Sequence, residues 1–167
     1  MKLKTVLISA MALASISVSA LADDYKVGQV MIKDTWARVT LQSRPAAAYM
    51  QIHNMGETAD KIVAASSPLA ERVELHTHSM DEGVMRMRKV EEIAVPAKGQ
   101  TELKPGGLHL MIFGLKREIK KGEMLPLKLT LQEAGEVEIM AKVGAKAGGS
   151  DHSGHDHNHS HSHGQTQ

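Results

Sequence analysis

The sequence predicts an all-β fold of the sandwich or barrel type, and three observations indicate it. Short segments rich in Val, Ile, Thr and Leu recur along the chain, most of them with apolar and polar residues in alternation. Turn signals containing Pro, Gly or Asn separate these segments about every ten residues, and no stretch has the period of an amphipathic helix. We therefore expect about eight or nine strands, enough to enclose a hydrophobic core.

The strands near the two ends of the predicted domain are indicated by their composition and by the turns that bound them. Residues 30–40 are rich in β-branched side chains, and Trp36 is their expected large core residue. Residues 46–54 and 61–65 alternate and are bounded by breaks that contain proline. At the other end of the domain, the turn Ala134-Gly135 joins two segments into a closing hairpin. The two segments of that hairpin are 125–133 and 137–143.

Three middle strands carry His or Met on the face opposite their aliphatic side chains, because side chains alternate across a strand. The strands are 73–78, 84–90 and 107–113; a loop at 79–83 joins the first two, and a Pro-Gly turn at 104–107 precedes the third. Taken one strand at a time, such residues are more often solvated surface or core filler than metal ligands. The six side chains are His76 and His78, Met85 and Met87, and His109 and Met111.

Both ends of the chain differ from this predicted domain, which spans 23–143. Residues 1–22 have a basic start, an apolar run and a final Ala-Leu-Ala, the pattern of a cleaved secretory signal. Residues 144–167 lack apolar anchors, so we expect a disordered tail. Its imidazoles are typical of metal chelation, most strongly of Cu(II), with an inert polar tail or a tag as the alternative. The tail histidines are His152, His155, His157, His159, His161 and His163.

Composition excludes several classes of function. The chain has no cysteine, so disulfides, thiolate catalysis, Cys zinc sites and a blue-copper centre are excluded, and any soft-metal site must use some of the 11 methionines. Removal of the signal leaves 18 basic and 19 acidic residues, a net charge of about −1, so no basic field favours nucleic acid. No serine-hydrolase elbow, zinc-protease motif or phosphate loop is present, and we expect a protein that is not an enzyme.

The sequence resembles the periplasmic copper chaperones called PCu(A)C, whose signature is His, ten residues, Met, twenty-one residues and His-x-Met; His76, Met87, His109 and Met111 match it without a gap. The resemblance covers about 30–143. His78 departs from the pattern, because many members carry Met beside the first ligand. The strings around the ligands also look like the family: Val-Glu-Leu-His-Thr, Gly-Val-Met-Arg-Met-Arg, Leu-Lys-Pro-Gly-Gly-Leu-His-Leu-Met and Gly-Leu-Lys.

The resemblance implies a cupredoxin-like, Greek-key β-sandwich that holds one Cu(I) on the four matching residues, with His78 and Met85 as further candidates. It also implies a periplasmic copper chaperone for the CuA centre of cytochrome c oxidase. Its expected partners are the copper-receiving subunit of the oxidase and a Sco-type thiol protein; we expect a monomer without membrane insertion. The tail histidines would collect Cu(II). The alternative function is a periplasmic buffer for Cu(II), Zn(II) or Ni(II) that acts mainly through the tail.

Overall fold

Eleven β-strands and no helix make up the described part of the chain, residues 24–81 and 83–144 of the computed structural model. The all-β prediction is confirmed. The predicted signal and the tail histidines lie outside the described residues. Within those residues, no helix is long and apolar enough to cross a bilayer. The strands are β1 Tyr25–Val27, β2 Val30–Arg38, β3 Ala46–Asn54, β4 Asp60–Ser66, β5 Ala70–Asp81, β6 Val84–Lys89, β7 Ile93–Val95, β8 Gly99–Leu103, β9 His109–Leu115, β10 Met124–Leu131 and β11 Gly135–Val143.

The strands form one continuous sheet in the order β6-β5-β9-β3-β2-β11-β10-β4-β7, with β1 added to β2 and β8 added to β3. The pair β2 and β11 is parallel, and the other described pairs are antiparallel. Ile62 and Ile93, near one end of this order, share a buried cluster with Leu75 and Leu110, near the other end. Because both ends contribute to one core, the sheet must curl over itself, as in a sandwich or barrel.

Strand β9 carries core residues on one face and predicted ligands on the other. Leu110 and Ile112 are fully buried in the hydrophobic cluster. His109 and Met111 alternate with them and therefore point to the opposite face of the sheet. The predicted Pro-Gly turn before this strand is present, because Gly107 N–H bonds to Lys104 O at 3.0 Å. The candidate ligands thus lie on the outer face of a strand whose inner face is core.

Four elements were missed or differ clearly from the sequence prediction, and β9 lies two residues later than predicted. Three short strands, β1, β7 and β8, were not predicted, because three to five residues are too few to show a reliable period. Strand β5 is also longer than predicted. It continues through Met80 to Asp81, where a loop at 79–83 was expected, because these residues pair with the start of β6.

Trp36 was predicted to be a core residue, and this prediction is wrong. It is only half-buried, whereas its neighbour Ala37 is fully buried. A bulge in β2 between Lys33 and Trp36 causes the difference, because it inserts one extra residue opposite β3 and reverses the alternation. Asp34 within the bulge has φ 50°, in the left-handed region. The Trp36 ring therefore lies on the outer face, against the Tyr49 ring at 4.4 Å between centroids.

Candidate metal centre

The six candidate ligands of the domain lie on three neighbouring strands, β6, β5 and β9. Residues directly opposite each other in a ladder share a face. The alternation along each strand then puts all six on the same face of the sheet. The opposite pairs are His76 with His109, His78 with Met87, Met80 with Met85, and Glu74 with Met111.

His109 is a buried imidazole with one nitrogen left without a partner. Its side chain is 2% exposed, and Nδ1 lies 2.9 Å from the Gly107 carbonyl oxygen. Since a carbonyl only accepts, Nδ1 carries the hydrogen, and Nε2 presents a lone pair. Nε2 is buried and has no hydrogen-bond partner within 24–81 and 83–144. Burial lowers the pKa of His109, against the smaller opposing effect of the Gly107 hydrogen bond, so the ring is neutral near pH 7.

His76 lies directly opposite His109 and also has one ring nitrogen without a partner in the described part of the chain, in this case Nδ1. Its Nε2 lies 3.0 Å from Glu74 Oε2, and this hydrogen bond is the main reason that the pKa of Glu74 is lowered. The carboxylate is therefore ionised and accepts, so Nε2 carries the hydrogen. Nδ1 is buried without a partner among the described groups. The rings of His76 and His109 lie 5.8 Å apart between centroids, so the two buried nitrogens, Nδ1 of His76 and Nε2 of His109, belong to neighbouring imidazoles, a combination that a metal ion can use.

His78 is the third imidazole of this cluster. Its ring stacks on that of His109 with 5.1 Å between centroids. Its Nδ1 lies 3.4 Å from the same Gly107 oxygen, a contact too long to orient the ring firmly. Met87 stands directly opposite on β6 and is 44% exposed, so its thioether is accessible and does not fill the core. His78 and Met87 therefore form a second, more open pair beside His76 and His109.

Met87 and Met111 lie on opposite sides of the histidine pair. Met87 is opposite His78, whereas Met111 is opposite Glu74, four residues away along β5. Ideal strand geometry puts the two Met Cα atoms about 16 Å apart, since they differ by two strand spacings and four residues. The structure therefore brings the imidazoles together, and each methionine flanks them. At that separation, extended side chains alone do not reach a common metal. All four groups share one metal only when the backbone of the β5–β6 hairpin also bends toward β9.

Aromatic rings border the cluster on the same face. Tyr49 lies 6.3 Å from His109, and Phe113 lies 6.1 Å from His76, measured between ring centroids. The guanidinium of Arg72 covers Phe113 at 4.2 Å. These rings exclude water from one side of the imidazoles, which favours a soft, weakly hydrated metal over a hard one.

Sequence reasoning missed three contributors to this site. Glu74 orients His76, the Gly107 carbonyl orients His109, and Met80 extends the row of sulfur and imidazole side chains. The alternation from Glu74 to Met80 at every second position was the available signal. In the described segments, no group of three or more His, Asp or Glu side chains is placed to hold a metal. The donors beside the imidazoles on this face include the sulfurs of Met87 and Met111.

Two sequence comparisons match most of the chain to proteins that carry lipoprotein names. The family model described as "Putative lipoprotein LpqE-like" matches residues 30–143. A curated relative from Leifsonia xyli subsp. xyli, named "Putative lipoprotein Lxx21020", is 24% identical over 132 residues, which are 78% of this chain and 76% of the relative.

Solved structures with the same fold are PCuAC domains. The copper-bound PCuAC domain of PmoF2 is 25% identical, with a TM-score of 0.64 over 74% of this chain and 98% of that domain. The Cu(I) form of DR1885 from Deinococcus radiodurans is 32% identical, with a TM-score of 0.51 over 65% of this chain and 75% of that protein. Because the family model covers most of the chain, and the fold matches that of such domains, the chain belongs to the LpqE-like family and residues 30–143 form a PCuAC-type domain.

Proposed function

We propose that this protein is an exported copper chaperone that holds one Cu(I) on the outer face of β5, β6 and β9. The ligands are His76, Met87, His109 and Met111. His78 and Met85 lie next to this set and become ligands during exchange. The copper-bound structures of PmoF2 and DR1885 support copper as the cargo.

One observation carries the proposal. Two buried nitrogens, Nδ1 of His76 and Nε2 of His109, lack hydrogen-bond partners among the described residues and belong to directly opposite residues. Leaving two buried acceptors unpaired costs free energy, of the order of 1–3 kcal/mol each, unless a ligand uses them. A metal ion bridging the two nitrogens removes that cost.

The identity of the metal follows from the remaining ligands. Thioether sulfur is a soft, neutral donor that suits Cu(I) and suits Mg²⁺ or Ca²⁺ poorly. Met87 and Met111 are the soft donors nearest the histidine pair, and they meet the metal when the β5–β6 hairpin bends toward β9. Neutral ligands also keep the ion exchangeable, because a thiolate acceptor binds Cu(I) more strongly than a thioether does.

Export and delivery form the second part of the proposal. The lipoprotein names of the family and of the curated relative support export, as does the signal-like segment 1–22. In the periplasm, the protein would supply copper for the CuA centre of cytochrome c oxidase, with the copper-receiving subunit and a Sco-type thiol protein as partners. The six tail histidines would collect Cu(II), while the domain holds Cu(I).

The second candidate function is a buffer for Cu(II), Zn(II) or Ni(II) that works through the tail. The high density of histidine after residue 151 favours it. In that case the domain would only carry the tail, and its histidine pair would have no role in metal uptake.

A competition titration separates the two functions. Cu(I) and Cu(II) binding are measured for the full chain, for a chain truncated after Gly144, and for the truncated chain with His109→Ala. If the protein is a chaperone, truncation should abolish most Cu(II) uptake and leave Cu(I) binding intact. His109→Ala in the truncated chain should then remove the Cu(I) site. Equal loss of both ions on truncation would refute the two-site proposal and favour the buffer.

A further inference from the structure

We propose that Met80 and Met85 form a second Cu(I) site at the far end of the β5–β6 hairpin, through which copper enters and leaves the chaperone. We call this pair the outer thioether site. The proposal rests on the proposed function, because it describes how Cu(I) reaches the histidine pair.

The ladder between β5 and β6 arranges soft ligands in successive steps. Met80 is directly opposite Met85, and the next pair on the same face is His78 with Met87. The next position on the same face of β5 is His76, which is directly opposite His109 on the neighbouring strand β9. Successive positions on one face of a strand are about 7 Å apart. Cu(I) can therefore pass from the outer thioether site to the pair His76 and His109 by exchanging one ligand pair for the next.

Exposure indicates that these methionines do not serve the core. Met80 is 71% exposed and Met85 is 58% exposed. They occur with Val84 and Met87, so four of the eight large hydrophobic side chains exposed in the described residues belong to this one hairpin. Val84 is opposite Asp81 on the other face, so three exposed thioethers share one face. Isolated exposed apolar residues are ordinary, but three such side chains together mark a surface that can bind a ligand.

The chemistry of the face selects the occupant. From Met80 to His76, the outward side chains of the hairpin are thioethers and imidazoles, joined by the ammonium of Lys89 opposite His76. Asp81 lies on the other face, where it pairs with Arg88 at 2.6 Å. The thioether face between Met80 and His76 thus offers no carboxylate to a hard cation, whereas two facing sulfurs suit Cu(I), for which soft donors are preferred.

Transfer along this row is a ligand exchange without redox chemistry. Copper arrives as Cu(I) and departs as Cu(I). At each step one thioether dissociates from the metal while an imidazole or another thioether binds to it. No proton is displaced, because a thioether and a neutral imidazole each donate a lone pair. The outer thioether site has only two neutral ligands, so we expect weaker binding there than at the histidine pair.

The test follows each methionine separately in the full-length protein. With the methionine methyl groups labelled with carbon-13, Cu(I) is added without oxygen and the methyl NMR signals are recorded. We expect the first equivalent to shift Met87 and Met111, and a second equivalent to shift Met80 and Met85. If Met87 and Met111 respond but Met80 and Met85 stay unchanged through the second equivalent, the outer site is refuted and the proposed function stands. If Met87 and Met111 fail to respond, the proposed function itself fails.

A pair of matched variants tests the role in exchange. Met80→Leu with Met85→Leu keeps the size and apolarity of the hairpin but removes both sulfurs. Met55→Leu with Met140→Leu removes two other exposed sulfurs outside the hairpin. We expect the hairpin variant to release Cu(I) to a competing chelator about tenfold more slowly, a barrier increase of about 1.4 kcal/mol. Equal release rates for the two variants would overturn the exchange role.

Discussion

Neighbouring residues of β9 should separate copper binding from stability. Ile112 is fully buried in the core, whereas Met111 lies on the outer face beside Glu74. We predict that Ile112→Ala lowers the free energy of unfolding and leaves Cu(I) affinity unchanged. Met111→Leu should do the reverse, because it keeps the side-chain volume and removes the sulfur.

The two effects differ in size and in kind. Replacing a fully buried Ile by Ala costs about 2–5 kcal/mol, and for a domain of this size each kcal/mol lowers Tm by roughly 3–5 °C. A central value near 3 kcal/mol therefore predicts a fall in Tm of about 9–15 °C for Ile112→Ala. For Met111→Leu we expect a change in stability below about 1.5 kcal/mol. Changes in groups that only orient metal ligands typically cost 10–100-fold in affinity, so losing a direct ligand should cost about 100-fold or more.

Thermal unfolding followed by circular dichroism and anaerobic Cu(I) competition measure both quantities on the same samples. The chain truncated after Gly144 is used for both variants, so that the tail histidines do not contribute. If Met111→Leu binds Cu(I) as tightly as the unchanged domain, Met111 is not a ligand. If Ile112→Ala loses affinity as much as stability, the separation of the two faces is wrong.

Three further predictions concern the surroundings of the site. Glu74→Ala should weaken copper binding about 10–100-fold because His76 loses the acceptor that fixes its tautomer; nitrogen-15 NMR of the ring would report a tautomer change, and an unchanged spectrum would contradict this role. Because burial lowers the pKa of His109, the unfolded chain takes up a proton near pH 6.5 that the folded chain resists, so stability should fall as the pH drops below about 6.5. Urea unfolding from about pH 7.5 to 5 measures that decline, and His109→Gln should make it shallower. Gly114 has φ 64°, and a Cβ at this position would overlap the Glu71 side chain. Gly114→Ala should therefore lower the free energy of unfolding by about 1–2 kcal/mol in a denaturant titration. An unchanged free energy would show that the backbone at residue 114 adjusts to a side chain without cost.

Much of the fold was predictable because its long strands have clear patterns. The predicted bounds of β3, 46–54, agree with the structure, and β2, β4, β6, β10 and β11 differ at their ends by only a few residues. Trp36 could not be placed correctly, because the bulge before it reverses the alternation and leaves no signature in composition. The extension of β5 through Met80 was hidden by Ser79, Asp81 and Gly83, which are residues typical of a loop.

The candidate site was predictable as a set of residues but not as a geometry. Spacing along the chain gave six side chains on three strands, and alternation placed them on outward faces. The register decided which of them meet, since a shift of one residue would have turned every imidazole into the core. The tautomers of His76 and His109 depend on Glu74 Oε2 and the Gly107 carbonyl, both contacts of the folded chain. Sequence offered no means to assign them.

Strand β6 ends the described sheet and leaves one side of its backbone unpaired. An unpaired edge with apolar side chains invites other chains to add strands and aggregate. Arg86 and Arg88 alternate with Met85 and Met87 along this edge and point to the opposite face, while Lys89 follows them. Bringing cationic side chains of two copies together would be unfavourable, so the protein can leave its sulfurs open to copper and still remain dispersed in solution.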